Sequence, residues 1–293
     1  MSVIELQDVS KLYGFGDATT LALDEVNLSI DSNEFVAVMG PSGSGKSTLM
    51  NVIGLLDRPT HGTYQLNGHS VAKLSSNQRA KIRRDTIGFI FQSYNLLPRL
   101  TVLENVALPL AYRGMSVSHR LKLASNMLER VGLRDREYYF PRHLSGGQIQ
   151  CVAIARALVN NPKLIIADEP TGNLDSASSR LVMELLGDIH KTGNTILFVT
   201  HNPELTRYAN RVVYMRDGSI MQDEPTQFGE VASTALKEMY TVPEKTVDDD
   251  LAGVSVLMKA LPDQNGAPRT KPVKAKSKKK AKSTKRRKQG SKS

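Results

Sequence analysis

Between residues 40 and 47 the chain reads Gly40-Pro41-Ser42-Gly43-Ser44-Gly45-Lys46-Ser47, a Gly-x-x-x-x-Gly-Lys-Ser run that fixes most of what the surrounding fold can be. The run needs a buried strand before it and a helix after it. Both are legible: EFVAVM precedes it as a short apolar strand, and STLMNVIGLL follows with helical patterning. Glycines at these positions let backbone N–H groups turn inward around an anion, and the helix start adds partial positive charge. Lys46 is then placed to touch the β- and γ-phosphates of a nucleotide, the Ser47 hydroxyl to bind Mg²⁺, and Thr48 to follow them in the same stretch. Average residue frequencies give a chance match about once in a hundred chains of this size, before the correct flanks are counted.

A second element is Leu164-Ile165-Ile166-Ala167-Asp168-Glu169-Pro170. Four apolar residues bury a strand and deliver two acids at its carboxyl end, where open α/β sheets bind ligands. Asp168 is the expected Mg²⁺ holder and Glu169 the expected general base for an attacking water. A lone Asp-Glu pair is ordinarily solvated surface; behind a buried strand, in a chain with a phosphate loop, it reads as catalytic.

Around these, IELQDV and LALDEVNLSI alternate as strands, and GTYQLNG ends a further strand in an Asn-Gly turn. From about Asn77 to Gln148 the pattern reads as mostly helical, broken by Pro98, Pro109 and Pro141. QIQCVAIARALV forms a helix with one apolar face. KLIIA and TILFV read as buried parallel strands with the helix SASSRLVMELLGDIHK between them, and VVYMRDGSIM as a hairpin around Asp217-Gly218. Residues 1–223 therefore form the expected catalytic domain, with a helical subdomain at about 93–147. Residues 224–264 read as an extension with one or two helices, and 265–293 as a disordered Lys/Arg-rich tail.

The formal charge of +10 over 293 residues is a property of that tail. From Gly266 onward there are 13 Lys or Arg and no acid, which leaves 26 basic against 29 acidic groups in the rest. The tail has no apolar face to fold around. Solvation alone, an anionic membrane surface and nucleic acid are the three readings open to it; with no aromatic in the run, base stacking is not indicated and nucleic acid is the least favoured. The single cysteine, Cys151, excludes an internal disulfide and a zinc framework. No apolar run approaches the ~18 residues of a membrane span, and the N-terminus lacks the pattern of a signal peptide. A cytoplasmic chain that reaches a membrane through a partner is the expectation.

Phosphate loop and acidic strand alone leave kinases, GTPases and helicases open. Leu144-Ser145-Gly146-Gly147-Gln148 resembles the signature of the ABC ATPase family, and the remaining motifs, over about residues 3–222, fall in that family's order. The resemblance implies an α/β P-loop NTPase fold of the ABC ATPase type, with a mostly parallel core sheet, an N-terminal antiparallel β-subdomain and an inserted helical subdomain. It implies that Tyr13 stacks on adenine, and that Gln92 touches Mg²⁺ and the attacking water. By the same resemblance Gly172-Asn173-Leu174-Asp175 meets a second subunit, with Asp175 in the dimer loop, and His201 contacts the γ-phosphate. Two copies would bind head to tail around two ATP, each phosphate loop facing the other copy's signature. Ser145 and Gly147 then act in trans, where LSGGQ opens a helix and offers donors to an anion.

FIFQSYNLLPRLTVLENVALPLAYRG together with ADEPTGNLDS is similar to the macrolide-export and lipoprotein-release branch. That similarity implies an ATP hydrolase powering a separate permease, with export or release as its direction. The alternatives are a regulatory ABC ATPase of the cell-division kind, or a soluble one acting on ribosomes or DNA. The soluble kinds fit poorly: the chain has one motif set, and 97 positions separate Ser47 from Leu144 without a heptad run. Two positions depart from the branch. Ile149-Gln150-Cys151 stands where Gln-Gln-Arg is usual, which removes a cation from the signature helix, and Asn202 follows the histidine where Asp is common.

Overall fold

The computed structural model describes residues 2–14 and 19–226. Two sheets organise them. β1 (Ser2–Tyr13), β2 (Thr20–Asp31), β4 (His61–Leu66) and β5 (His69–Ser70) form an antiparallel sheet in the order β2-β1-β4-β5. β3 (Phe35–Met39), β6 (Ile87–Phe91), β7 (Leu164–Asp168), β8 (Thr195–Val199), β9 (Arg211–Arg216) and β10 (Ser219–Pro225) form the second, in the order β10-β9-β3-β8-β7-β6. All neighbours in it are parallel except the terminal β9–β10 hairpin. Every residue of β3 and β8 is buried, which is what continuous apolar runs covered on both faces require. The Asn67-Gly68 and Asp217-Gly218 turns both take positive φ at each central residue, the two-residue geometry that suits the twist of a hairpin.

α1 (Lys46–Ile53) leaves the carboxyl end of β3 and packs with the antiparallel sheet on one face of the core sheet. α5 (Gly146–Leu158) and α6 (Ser176–Lys191) cover the other face through Ile154, Leu158, Val182, Met183 and Leu186. Between β6 and α5 lie α3 (Val102–Tyr112) and α4 (Val117–Arg130) with short 3-10 turns at Arg134–Arg136 and Pro141–His143. α2 (Ser76–Thr86) precedes β6.

Three sequence expectations need correction. The stretch from Asn77 is not uniformly helical: Ile87–Phe91 is the edge strand beside β7. Flanked by helices, a five-residue apolar run cannot be told from a helix by periodicity. Pro109 does not break its helix but sits inside α3, in its second half, where its missing N–H removes a single hydrogen bond to residue 105. Asn105, buried beneath, ties the helix entry by donating to the carbonyls of Leu97, Leu100 and Thr101. Finally, β10 runs to Pro225, past the expected boundary at 223. The rest of the 224–264 extension and the whole 265–293 tail lie outside the described residues.

Candidate functional site

The phosphate loop is built by β3 ending and α1 beginning with no side chain over its first N–H groups. Gly45 is the N-cap with φ 98°, and no side chain caps the helix, so the opening amides stay available to an anion. A methyl at Gly45 would lie 2.6 Å from the Ala22 carbonyl, and one at Gly40 would lie 2.1 Å from the Met215 carbonyl. The loop therefore fits against β2 and the β9–β10 hairpin only as glycine. The hairpin turn holds it from below, with Gly218 N donating to Ser44 O at 3.1 Å and Asp24 N to Gly218 O at 3.0 Å.

A cavity of about 530 Å³ opens over this loop, lined by Ser42–Thr48 together with Asp168, Glu169 and His201 and by residues of β2. The parallel register explains the convergence: Asp168 ends β7, Val199 ends β8 directly opposite it, and β8 runs parallel between β7 and β3, so all three strands end on the same edge. Lys46 folds over its own loop, Nζ donating to Gly40 O at 2.8 Å and Pro41 O at 2.7 Å. Partial burial lowers its pKa against the pull of Glu169 and Asp168. Asp168 is pushed the other way: burial, then the charge of Glu169, raises its pKa more than Lys46 lowers it.

Glu169 has φ 42° and is fixed by its N–H, which donates to Val199 O at 3.0 Å. Its Oε1 accepts from His201 Nδ1 at 2.8 Å. The other oxygen faces Gly172, where a methyl would stand 3.2 Å from Glu169 Oε2 and 2.6 Å from Gln92 Nε2. Gln92, just after β6, thus crowds the same glycine as the Glu169 carboxylate. Its carbonyl accepts from Asn173 Nδ2 at 3.0 Å. The next turn holds Tyr94 and Asn95 at φ 60° and 50°, a conformation costing about 1–2 kcal/mol for a residue such as tyrosine.

Among the described residues no cluster of three or more His, Cys, Asp or Glu could enclose a metal. The oxygen groups the cavity offers a cation beside the phosphate loop are the Asp168 carboxylate and the Ser47 hydroxyl, with Glu169 next to them. That sparse oxygen set suits Mg²⁺, which keeps waters and takes substrate phosphates as ligands.

Tyr13 ends β1 outside this cavity and is 41% exposed, with its hydroxyl donating to Asp57 Oδ2 at 2.8 Å. Lys11 Nζ lies over its ring, 4.8 Å from the centroid. Leu144–Gln148 lies outside the cavity as well. Ser145 caps α5 in a reciprocal box, accepting from Gln148 N at 3.4 Å while Gln148 Oε1 accepts from Ser145 N at 3.0 Å. Gly146 and Gly147 are the first residues of the helix, and a methyl at Gly147 would meet Ser178 Oγ at 3.1 Å. Asp175 sits nearby as the N-cap of α6, accepting from Ala177 N and Ser178 N at 3.0 and 2.9 Å, and these donors hold its carboxyl below the usual range. The structure thus brings Lys46, Ser47, Asp168, Glu169 and His201 to one cavity, sets Tyr13 beside its lining residue Thr48 and Gln92 against Gly172, and leaves the signature and Asp175 outside it.

At the departures from the branch pattern, the Cys151 side chain is enclosed though the residue keeps some surface, and burial pushes its thiol up to about 12. It packs as a small apolar group. Gln150, fully buried, donates Nε2 to Pro170 O at 2.7 Å, next to the Asp-Glu pair. Asn202 Oδ1 accepts from Glu204 N at 2.9 Å, doing the capping that Asp would do. Sequence reasoning missed Arg156, whose guanidinium donates to the carbonyls of Tyr94 and Asn95. The available signal was its standing as the only charged residue in α5.

A protein-family model described as ABC transporter matches residues 23–172. The ABC transporter ATP-binding protein YvrO of Bacillus subtilis is 50% identical over 222 residues, 76% of this chain and 97% of that one. MacB of Hyphomonas neptunium, a macrolide export ATP-binding/permease protein, is 50% identical over 221 residues, and the match spans 75% of this chain but 34% of that one. Among solved structures, the dimeric cassette MJ0796 in a post-hydrolysis state bound to ADP and Pi aligns with TM-score 0.70 and 44% identity, over 76% of this chain and 98% of that one. The motifs, the two-sheet fold and these relatives agree: the chain belongs to the ABC transporter family, as one of its ATP-binding, ATP-hydrolysing proteins.

Proposed function

We propose that two copies of this chain close head to tail around two Mg-ATP and power a separate permease of the macrolide-export or lipoprotein-release kind. The observation that carries this reading is the split site. Phosphate loop, Asp168, Glu169 and His201 share one cavity, while the signature at the start of α5 lies outside it. A second copy supplies the missing side: Ser145 and the Gly146 and Gly147 amides cap the γ-phosphate in trans, and Asp175 meets its counterpart near the dimer axis. The dimeric form of the MJ0796 cassette supports this arrangement.

Within each half-site, Ser47, Gln92 and Asp168 would hold Mg²⁺, and Tyr13 would stack on adenine. When bound, the metal would supply charge neutralisation on the transferred phosphoryl group. Glu169 polarises the attacking water, Gln92 orients it, and Lys46 and His201 bind the γ-phosphate. ATP closes the dimer, and hydrolysis lets it open.

Among the described residues no helix is long and apolar enough to cross a membrane, so the pathway for cargo belongs to a partner. The fusion of ATP-binding and permease parts named in MacB supports a permease. A groove of about 800 Å³ between α2, β6, α3 and α5 suits its cytoplasmic segment. Lys81, Arg83 and Arg84 line it beside Phe89, Leu108 and Tyr112, and no acid does. Its complement is an amphipathic segment carrying a carboxylate. On this reading residues 1–223 with β10 are the motor, with 93–147 as the helical subdomain that moves against the core. The Lys/Arg tail adds affinity for anionic lipid beside the permease, and the chain sits at the inner face of the cell membrane.

The test is capture of the full chain carrying Glu169→Gln from its native membranes, with and without ATP. A permease with few spans and a large extracytoplasmic domain, retained with ATP, is the expected partner. Ribosomal or DNA-associated proteins in its place would overturn the transport reading.

A further inference from the structure

Arg156 stands ten residues beyond Gly146, in the last turn of α5. Its fork spans two successive carbonyls, Nη2 donating to Tyr94 O at 2.7 Å and Nη1 to Asn95 O at 2.5 Å. Both acceptors belong to residues in the left-handed region, a path that is costly for tyrosine and milder for asparagine. Burial lowers the arginine's pKa, so its N–H groups need the partners they have.

Tyr94 lies along the same helix. Its hydroxyl is close to Gly146, where a methyl would meet it at 3.3 Å, and it donates to Asn173 O at 3.5 Å. Asn173 in turn donates to Gln92 O at 3.0 Å. The segment 92–95 is therefore clasped on one side by the loop that follows Glu169 and on the other by the signature helix. Arg156 is the only charged group α5 contributes to that clasp.

We propose that Arg156 is a positioning residue for hydrolysis: by holding the Tyr94 and Asn95 carbonyls it keeps the segment after Gln92 on its left-handed path, and so keeps the Gln92 side chain beside Glu169. The inference rests on the reading of Gln92 and Glu169 as hydrolytic residues. Arg156 does not line the phosphate-loop cavity, and it acts through the backbone of Tyr94 and Asn95.

The experiment uses the full-length chain with Mg-ATP and measures kcat, KM, nucleotide affinity and Tm. Arg156→Lys keeps the charge and the apolar stem, but a single ammonium does not reproduce the two-pronged hold; Arg156→Met removes the charge. In both, kcat falls by about tenfold with KM and nucleotide affinity within about twofold, because the phosphate loop is untouched and only the reacting groups are misaligned. Asn95→Gly, added to Arg156→Met, adopts the left-handed path without a Cβ penalty and restores about half of the lost kcat, although it does nothing for packing lost at 156. Wild-type kcat in both single variants overturns the proposal. So does a loss of kcat that tracks a fall in Tm and is not restored by Asn95→Gly, since that is a packing role. Glu169→Gln is run alongside. If it hydrolyses ATP at the wild-type rate, the hydrolytic reading itself fails; if it is inactive while the Arg156 variants are normal, only the positioning role fails.

Discussion

His201 Nδ1 donates to Glu169 Oε1 across 2.8 Å, so a ring just past the end of β8 steadies a carboxylate just past the end of its parallel neighbour β7. The pair forms one wall of the nucleotide cavity and can act as a unit. Glu169→Gln lowers kcat by at least about a hundredfold, the scale of a lost general base. His201→Ala lowers it by about tenfold or more, mainly through lost orientation of the Glu169 carboxylate. Because one residue steadies the other, the double variant falls no further than Glu169→Gln alone. Steady-state hydrolysis with nucleotide binding measured separately checks this; full additivity of the two losses would show that they act independently.

Gly172 supplies a second check, because the side chains of both Glu169 and Gln92 crowd it. In Gly172→Ala the new methyl would come within 2.6 Å of Gln92 Nε2 and 3.2 Å of Glu169 Oε2. The residue's φ is not in the left-handed region, and Gln92 has a flexible side chain that yields, so stability changes by less than about 0.5 kcal/mol. Displacing Gln92 costs about tenfold or more in kcat through lost alignment. A variant with normal Tm, normal ATP affinity and normal kcat would remove Gln92 from the reacting groups.

The difference between these two positions shows what the sequence made legible. Lys46, Asp168 and Glu169 announce themselves because their chemistry depends on sequence-local context, a strand followed by a turn. The identity of α6, Ser176–Lys191, was readable to the residue because Asp175 caps it and an apolar stripe runs its length. Contacts between segments distant in sequence were not. Gly172 against Gln92 joins positions 80 apart, and Arg156 against Tyr94 joins positions 62 apart; no local pattern records either. β6 was hidden for a related reason, since a five-residue run becomes an edge strand only by pairing with β7.

Cys151 gives a prediction that is independent of catalysis. Burial of the thiol disfavours thiolate and pushes its pKa up to about 12. At pH 8 the native chain therefore reacts with iodoacetamide at least about a thousandfold more slowly than the unfolded chain, whose thiol titrates near 8.5. The sign for stability follows: above the unfolded thiol's pKa the unfolded state releases a proton that the native state keeps, so stability falls as pH rises from there towards 12. Cys151→Ala abolishes that component. Rapid native labelling at pH 8 would show that the signature helix opens there.

The separation of the signature from the nucleotide cavity predicts complementation between two inactive variants. Lys46→Ala disables a phosphate loop, and Ser145→Arg places a bulky cation at the start of α5, where the partner's nucleotide would lie. Each variant alone has no intact site. In a mixed dimer, the intact phosphate loop of the Ser145→Arg copy faces the intact signature of the Lys46→Ala copy, and one site of the two is restored. Random pairing of equal amounts makes half the dimers mixed, so about a quarter of wild-type sites return if the sites act independently. Hydrolysis assayed against the mixing ratio should then peak at equal amounts and fall to nothing at either end. If the signature acted on its own chain's nucleotide, no mixture would show activity, since each polypeptide would carry its defect into its own site.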